Sequence, residues 1–180
     1  MKLMFISDIH GDAECLRRAL EIYERERPER LFLLGDILYH GPRNNIPAGY
    51  DPKRVAEMLN AMKNHITAVR GNCEAEVDQM MLSFPVMAEY ACVFADGISM
   101  FLTHGHIYNE DSMPPLSESD ILIHGHTHIP VCVRSGDNTV INPGSISLPK
   151  GGNPKSLMLY NNRIFSVIDL DGNLLFTHEV

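Results

Sequence analysis

The chain has 180 residues, 44% of them hydrophobic and 21% charged, with a formal net charge of -8. That length and balance predict one folded domain, residues 1–180, burying about two-thirds of the surface its unfolded form exposes, and exclude a disordered chain. The acidic excess excludes a stable nucleic-acid partner held by clustered Lys and Arg, and points to a small or locally engaged substrate.

Residues 2–7 (KLMFIS) are a short apolar run ending at Asp-Ile-His-Gly, the pattern of a buried strand that delivers polar side chains to a loop. Leu16, Ala19, Leu20 and Tyr23 then recur at helical spacing. A second apolar run, 31–34, stops at Gly35-Asp36 and opens into the loop GPRNNIPAGY. Asp51-Pro52 supplies a helix cap with Pro at the first helical position, and Val55, Met58, Leu59 and Met62 continue that helix. A third run, 66–69, ends at Arg70-Gly71-Asn72. Strand, helix, strand, helix, strand is the pattern of parallel βαβ units.

The second half reads as hairpins: runs at 90–95 and 98–103 flank Asp96-Gly97, and runs at 156–161 and 163–169 meet around Asn161-Asn162. Together the halves predict an α/β fold of two packed mixed β-sheets flanked by helices. Cys15, Cys73, Cys92 and Cys132 form no CxxC pair, which excludes a zinc ribbon or a disulfide framework and suits a reducing cytoplasm. The apolar opening is too short for a signal peptide, and no other stretch approaches a membrane span, so no membrane partner is expected. A homo-oligomer remains open.

The informative feature is where polar residues fall. Asp8 and His10, Asp36, Asn72, His104, and the run His124, His126, His128 stand at or just beyond the ends of apolar runs. Open α/β sheets build their sites there, because the carboxyl ends of the strands converge. Taken singly, each has a plainer explanation: Asp36 beside Gly35 is a turn residue, Asn72 a loop cap, and any of the nine histidines a surface or core side chain. Five strand ends finishing in Asp, His or Asn, most beside a Gly, exceed what turns alone require. Alternation on an extended segment would point His124, His126 and His128 the same way, with at most two of them binding.

DIHG, GD, GN, TH and GHTH in this order, over nearly the whole chain, resemble the calcineurin-like metallophosphoesterases. The compact size, the loop YHGPRN, GNCE in place of the commoner GNHE, and NPGS at 142–145 are similar to the small bacterial YfcE-type phosphodiesterases. The resemblance implies one metal ion on Asp8, His10 and His128, a second on Asn72, His104 and His126, and Asp36 bridging them. It further implies hydrolysis of small phosphodiesters by a hydroxide held between ions about 3.5–4 Å apart. Mixed imidazole and oxygen donors suit Mn, Fe, Zn or Ni better than Mg or Ca, and manganese is chosen by resemblance alone.

Asp36 and Cys73 are the catalytic candidates, Cys73 because it stands where the superfamily has the His thought to assist the leaving group; a small buried residue is the equal alternative. Arg43 and Asn72 are the substrate-binding candidates. Asp12 reads as a helix cap, the NPGS segment as a structural turn, and Lys150-Gly151-Gly152 as a turn. A phosphomonoesterase of this fold and a scaffold that has lost its ligands are the competing functions. A Ser or Cys hydrolase is excluded by the lack of a placed nucleophile with its base.

Overall fold

The computed structural model describes residues 1–180. Strand β1 (Lys2–Ile6) runs parallel to β2 (Arg30–Leu33), and β2 parallel to β3 (Ile66–Ala68), with helices α1 (Ala13–Glu26) and α2 (Pro52–Ala61) between them. A short helix α3 (Glu76–Met81) follows, then β4 (Tyr90–Ala95), β5 (Ile98–Thr103), β6 (Ile121–Ile123), β7 (Val131–Ser135), β8 (Asn138–Asn142), β9 (Ser156–Asn161), β10 (Ile164–Asp169) and β11 (Leu174–Glu179). They form a six-stranded sheet ordered β11-β10-β9-β1-β2-β3 and a five-stranded sheet ordered β4-β5-β6-β8-β7, both mixed.

Side chains alternate across the strands, so β1 sends Met4 and Ile6 toward the helices and Leu3 and Phe5 toward the second sheet. One core therefore lies under α1 and α2, with Leu16, Ala19, Val55 and Leu59 packed on Leu31 and Leu33. The other fills the space between the sheets, where Phe32 and Leu34 meet Met100, Leu102, Ile121 and Ile141. Burial on both faces is why β1 and β2 read as continuous apolar runs. Asp12 and Asp51 cap α1 and α2 by accepting from Cys15 N and Arg54 N, each at 3.0 Å.

The Asp96-Gly97 turn joins β4 to β5 with both residues left-handed, as the sequence predicts. The β9–β10 turn lies one position later than expected: Asn162 and Arg163, at φ 48° and 69°, make it, while Asn161 remains paired with Ile164. All four cysteines are unpaired. No helix is long and apolar enough to cross a membrane.

Candidate metal centre

The loops after β1, β2, β3, β5 and β6 gather on one edge, stitched by backbone bonds such as His10 N to Asp36 O at 2.9 Å and Gly125 N to His104 O at 2.8 Å. Their convergence forces unusual backbone. Asp8, His10, Asp36, His126 and His128 take φ of 54°, 48°, 54°, 65° and 61°. Each such residue costs roughly 1–2 kcal/mol, so the strain is concentrated on the candidate ligands and must be held by surrounding bonds. Gly35 cannot be replaced there: a Cβ would meet Gly71 N at 2.6 Å and His104 Nδ1 at 2.9 Å.

Two donor groups result. In the first, Asp8 Oδ1 lies 3.2 Å from His128 Nε2 and 3.7 Å from His10 Nε2, and the two ring nitrogens are 3.2 Å apart. In the second, His104 Nε2 lies 3.1 Å from Asn72 Oδ1 and 3.3 Å from His126 Nδ1. Asp36 stands between them, with Oδ1 3.5 Å from His104 Nε2 and Oδ2 3.7 Å from His10 Nε2. The seven ligand candidates of the sequence thus come together.

The donor chemistry fits divalent ions. Nδ1 of His10, His104 and His128 donates to the carbonyls of Tyr39, Leu34 and Leu148 at 2.9, 2.7 and 2.5 Å. Each ring is thereby oriented with Nε2 turned inward to receive a proton or a metal ion. Asp8 Oδ2 is occupied by Ser7 Oγ at 2.7 Å and His126 N at 3.0 Å, whereas the buried Oδ1 has no hydrogen-bond donor. An orphaned carboxylate oxygen facing two imidazole nitrogens is what a cation would satisfy.

Electrostatics point the same way. Burial alone would raise the Asp8 carboxyl, but the His10 and His128 rings and the His104 charge outweigh it and hold it well below the usual carboxylate range. Burial opposes charge on His104, yet Asp36 and Asp8 push it up to about 9. His126 goes the other way, down to about 4, through burial and then the His104 charge. The carboxylates attract positive charge, and His126 stays neutral at neutral pH, as a metal-binding imidazole must.

Three expectations need correction or extension. His124, His126 and His128 do not point the same way, because the segment is a loop with left-handed residues rather than a strand; His124 turns aside, its Nε2 3.1 Å from Glu110 Oε2. The NPGS turn does more than turn: Asn142 Nδ2 donates to Gly125 O at 2.7 Å and Thr127 Oγ1 at 3.0 Å, bracing the His126 loop. Ser145 and Ser147 hydroxyls both donate to Asp8 O at 2.8 Å. Lys150 precedes the expected Gly151-Gly152 turn but itself lines the cleft.

Sequence reasoning missed Glu74 altogether. Its buried carboxylate accepts from Asp36 N at 2.9 Å, Ile37 N at 2.7 Å and Gly71 N, tying the loop after β2 to the loop after β3. Its position in GNCE, two after Asn72, was the available signal.

The centre opens on a cleft of about 750 Å³ lined by Asp36, Asn72, His126 and His128 together with Arg43, Asn44 and Lys150. Cys73 also lines it, its backbone N donating to Asp36 Oδ1 at 2.9 Å and its thiol to Oδ2 at 3.2 Å. Burial, and then the Asp36 charge, push that thiol up, so it stays protonated at neutral pH. His40 is held against Tyr39 and Tyr50.

Paired imidazole and carboxylate groups in such a cleft define a metal-dependent hydrolase site. The calcineurin-like phosphoesterase superfamily domain model matches residues 1–163. Phosphodiesterase YfcE of Escherichia coli K12 is 48% identical over 171 residues, covering 95% of this chain and 93% of that protein. A phosphodiesterase of Methanocaldococcus jannaschii is 29% identical over 151 residues, covering 80% and 83%. The solved structure of the E. coli phosphoesterase YfcE superposes with a TM-score of 0.97 over 100% of both chains at 45% identity. The chain belongs to the calcineurin-like phosphoesterase superfamily and is of the YfcE type.

Proposed function

We propose that this chain, acting as a single domain, hydrolyses small phosphodiesters at a centre of two divalent ions. One ion is assigned to Asp8, His10 and His128, the other to Asn72, His104 and His126, with Asp36 shared. The observation that carries the reading is the placement of the two Asp36 oxygens, one facing each donor group. Bound ions supply Lewis acidity toward ester oxygens and activate the attacking water. Manganese is proposed among the metals that the donor set favours. The setting is a reducing cytoplasm.

The protein's own groups supply the rest. Glu74 and the Asn142 bracing hold the ligand loops, so little reorganisation is needed when substrate arrives. Arg43 and Lys150 give the cleft fixed positive charge for an anionic ester, although the chain is acidic overall. Asn72 would offer its carbonyl oxygen to the second ion, and it lines the cleft where a substrate would sit. A scaffold role is the weaker reading, because no ligand position has been lost.

Manganese-loaded protein is expected to hold two ions per chain by elemental analysis and to hydrolyse members of a panel of phosphate diesters. A saturating stoichiometry of one sinks the dinuclear centre, and inactivity on every ester favours the scaffold.

Cys73 is proposed to act at the leaving group. A protonated thiol is a weak donor, so it assists a departing alkoxide less than an imidazole of pKa about 6.5 would. Diesters with acidic, phenol-like leaving groups need that help least. Cys73→His is therefore expected to raise kcat/KM for a monoester relative to a matched diester by roughly tenfold. An unchanged ratio with both ions bound returns Cys73 to a structural role.

A further inference from the structure

Beside the metal cleft lies a second recess of about 270 Å³. Tyr39, Cys73 and Ala75 line both spaces, and Tyr50, Val77 and Met81 wall the recess. Its character differs from the cleft: seven of its nine lining residues are hydrophobic, against three of thirteen in the cleft. Val77 is 61% exposed, Tyr39 41% and Met81 39%, so apolar side chains are held open to solvent beside the ions' ligands.

The recess is built rather than incidental. Ala75 N donates to Asp78 Oδ2 at 2.8 Å, which fixes the start of α3 and occupies the buried carboxylate on the wall. Asn60 Nδ2 donates to Met81 O at 2.9 Å, and Ser83 N to Asn60 Oδ1 at 2.7 Å, which fix the end of α3 against α2. Asp78 lines the recess with its Oδ2 taken by Ala75 N, and most of the remaining wall is aromatic and aliphatic.

We infer that this recess is the subsite for one ester arm of the substrate, and that the arm is a flat apolar or aromatic group. The inference rests on the phosphodiesterase reading. With the phosphoryl group among the ligands, a diester must send two arms out of the centre. Arg43 and Lys150 line the cleft itself, whereas Tyr39, Cys73 and Ala75 border both the cleft and the recess, so the two spaces beside the centre differ in character. The cleft suits an arm that is solvated or anionic; the recess takes an arm that gains by leaving water. The site thereby selects diesters with at least one ring-bearing arm over small dialkyl esters.

The test compares phenylphosphonate with methylphosphonate, which share the headgroup and differ only in the arm, binding to the manganese-loaded protein by calorimetry. Burying one ring face is expected to make phenylphosphonate bind about tenfold tighter. Val77→Gln combined with Met81→Gln, two exposed and uncharged replacements, is expected to bring the two affinities together. Phe94→Gln, on β4, is expected to leave the preference unchanged. Equal affinities in the natural chain, or a preference that survives in the double variant, overturns the subsite. Hydrolysis of diphenyl phosphate is followed in parallel, with KM expected to rise about tenfold in the double variant. No hydrolysis by the natural chain of this or any other diester of the panel overturns the phosphodiesterase reading on which the subsite rests, independently of the phosphonate result.

Discussion

Asp36→Asn is expected to lower kcat/KM by roughly 10³-fold or more while the ion-free protein stays folded. Asp36 places one carboxylate oxygen toward each donor group, so losing its charge is expected to weaken both ion sites together. The fold is insulated from the change. Leu31, Phe32, Leu33 and Leu34, which lead to Asp36, are all at most 3% exposed. An Asn carbonyl can still accept from Cys73 N, and the lost attraction to His104 is offset by the relief of burying one carboxylate fewer and of its repulsion with Asp8. The ion-free melting temperature should therefore stay within a few degrees, while ion content falls below two per chain. Near-normal turnover at saturating manganese would remove Asp36 from the centre.

Much of the first half was legible because its elements declare themselves locally. β1 and β2 are buried on both faces and so are unbroken apolar runs, and α1 and α2 begin at aspartates whose caps are formed. The later elements carry weaker signals. β6 has only three residues, and β7 is partly exposed along its whole length. In α3, Val77 and Met80 face outward at 61% and 85% exposure, which erases the helical periodicity. The sequence pattern reports burial, and where burial is partial the pattern fades.

The site divides in the same way. Five of the seven candidate ligands, His10, Asp36, Asn72, His104 and His126, stand next to a glycine at a strand end, a local signature. The groups that hold those candidates act on backbone atoms distant in sequence: Ser145 on Asp8 and Glu74 on Asp36. No local spacing encodes such a contact. The misreading of His124 to His128 has the same root, since left-handed backbone at His126 and His128 is imposed by the converging loops and not by the HGHTH string itself.

Those bracing contacts set the second large effect. Glu74→Ala is expected to destabilise the ion-free protein by about 3 kcal/mol or more, because three main-chain donors lose their acceptor and a buried unsatisfied donor costs about 1–3 kcal/mol. Two of the three, Asp36 N and Ile37 N, bracket the left-handed turn that presents the shared carboxylate. Glu74 keeps this role although burial, and then the Asp36 charge, raise its carboxyl above the usual range; the three donors partly offset that cost. The melting temperature in chelator should fall by roughly 6–12 °C. Glu74→Gln retains one oxygen acceptor but turns an amide N–H₂ toward a main-chain donor, so it should fall between the natural chain and the alanine variant. Ion binding should weaken in the same order, which separates Glu74 from Asp36: the first variant loses stability and ions, the second ions alone. A melting temperature for Glu74→Ala within about 2 °C of the natural chain would mean that water replaces the carboxylate at these donors, and that the ligand loops are held by the Asn142 and Ser145 contacts instead.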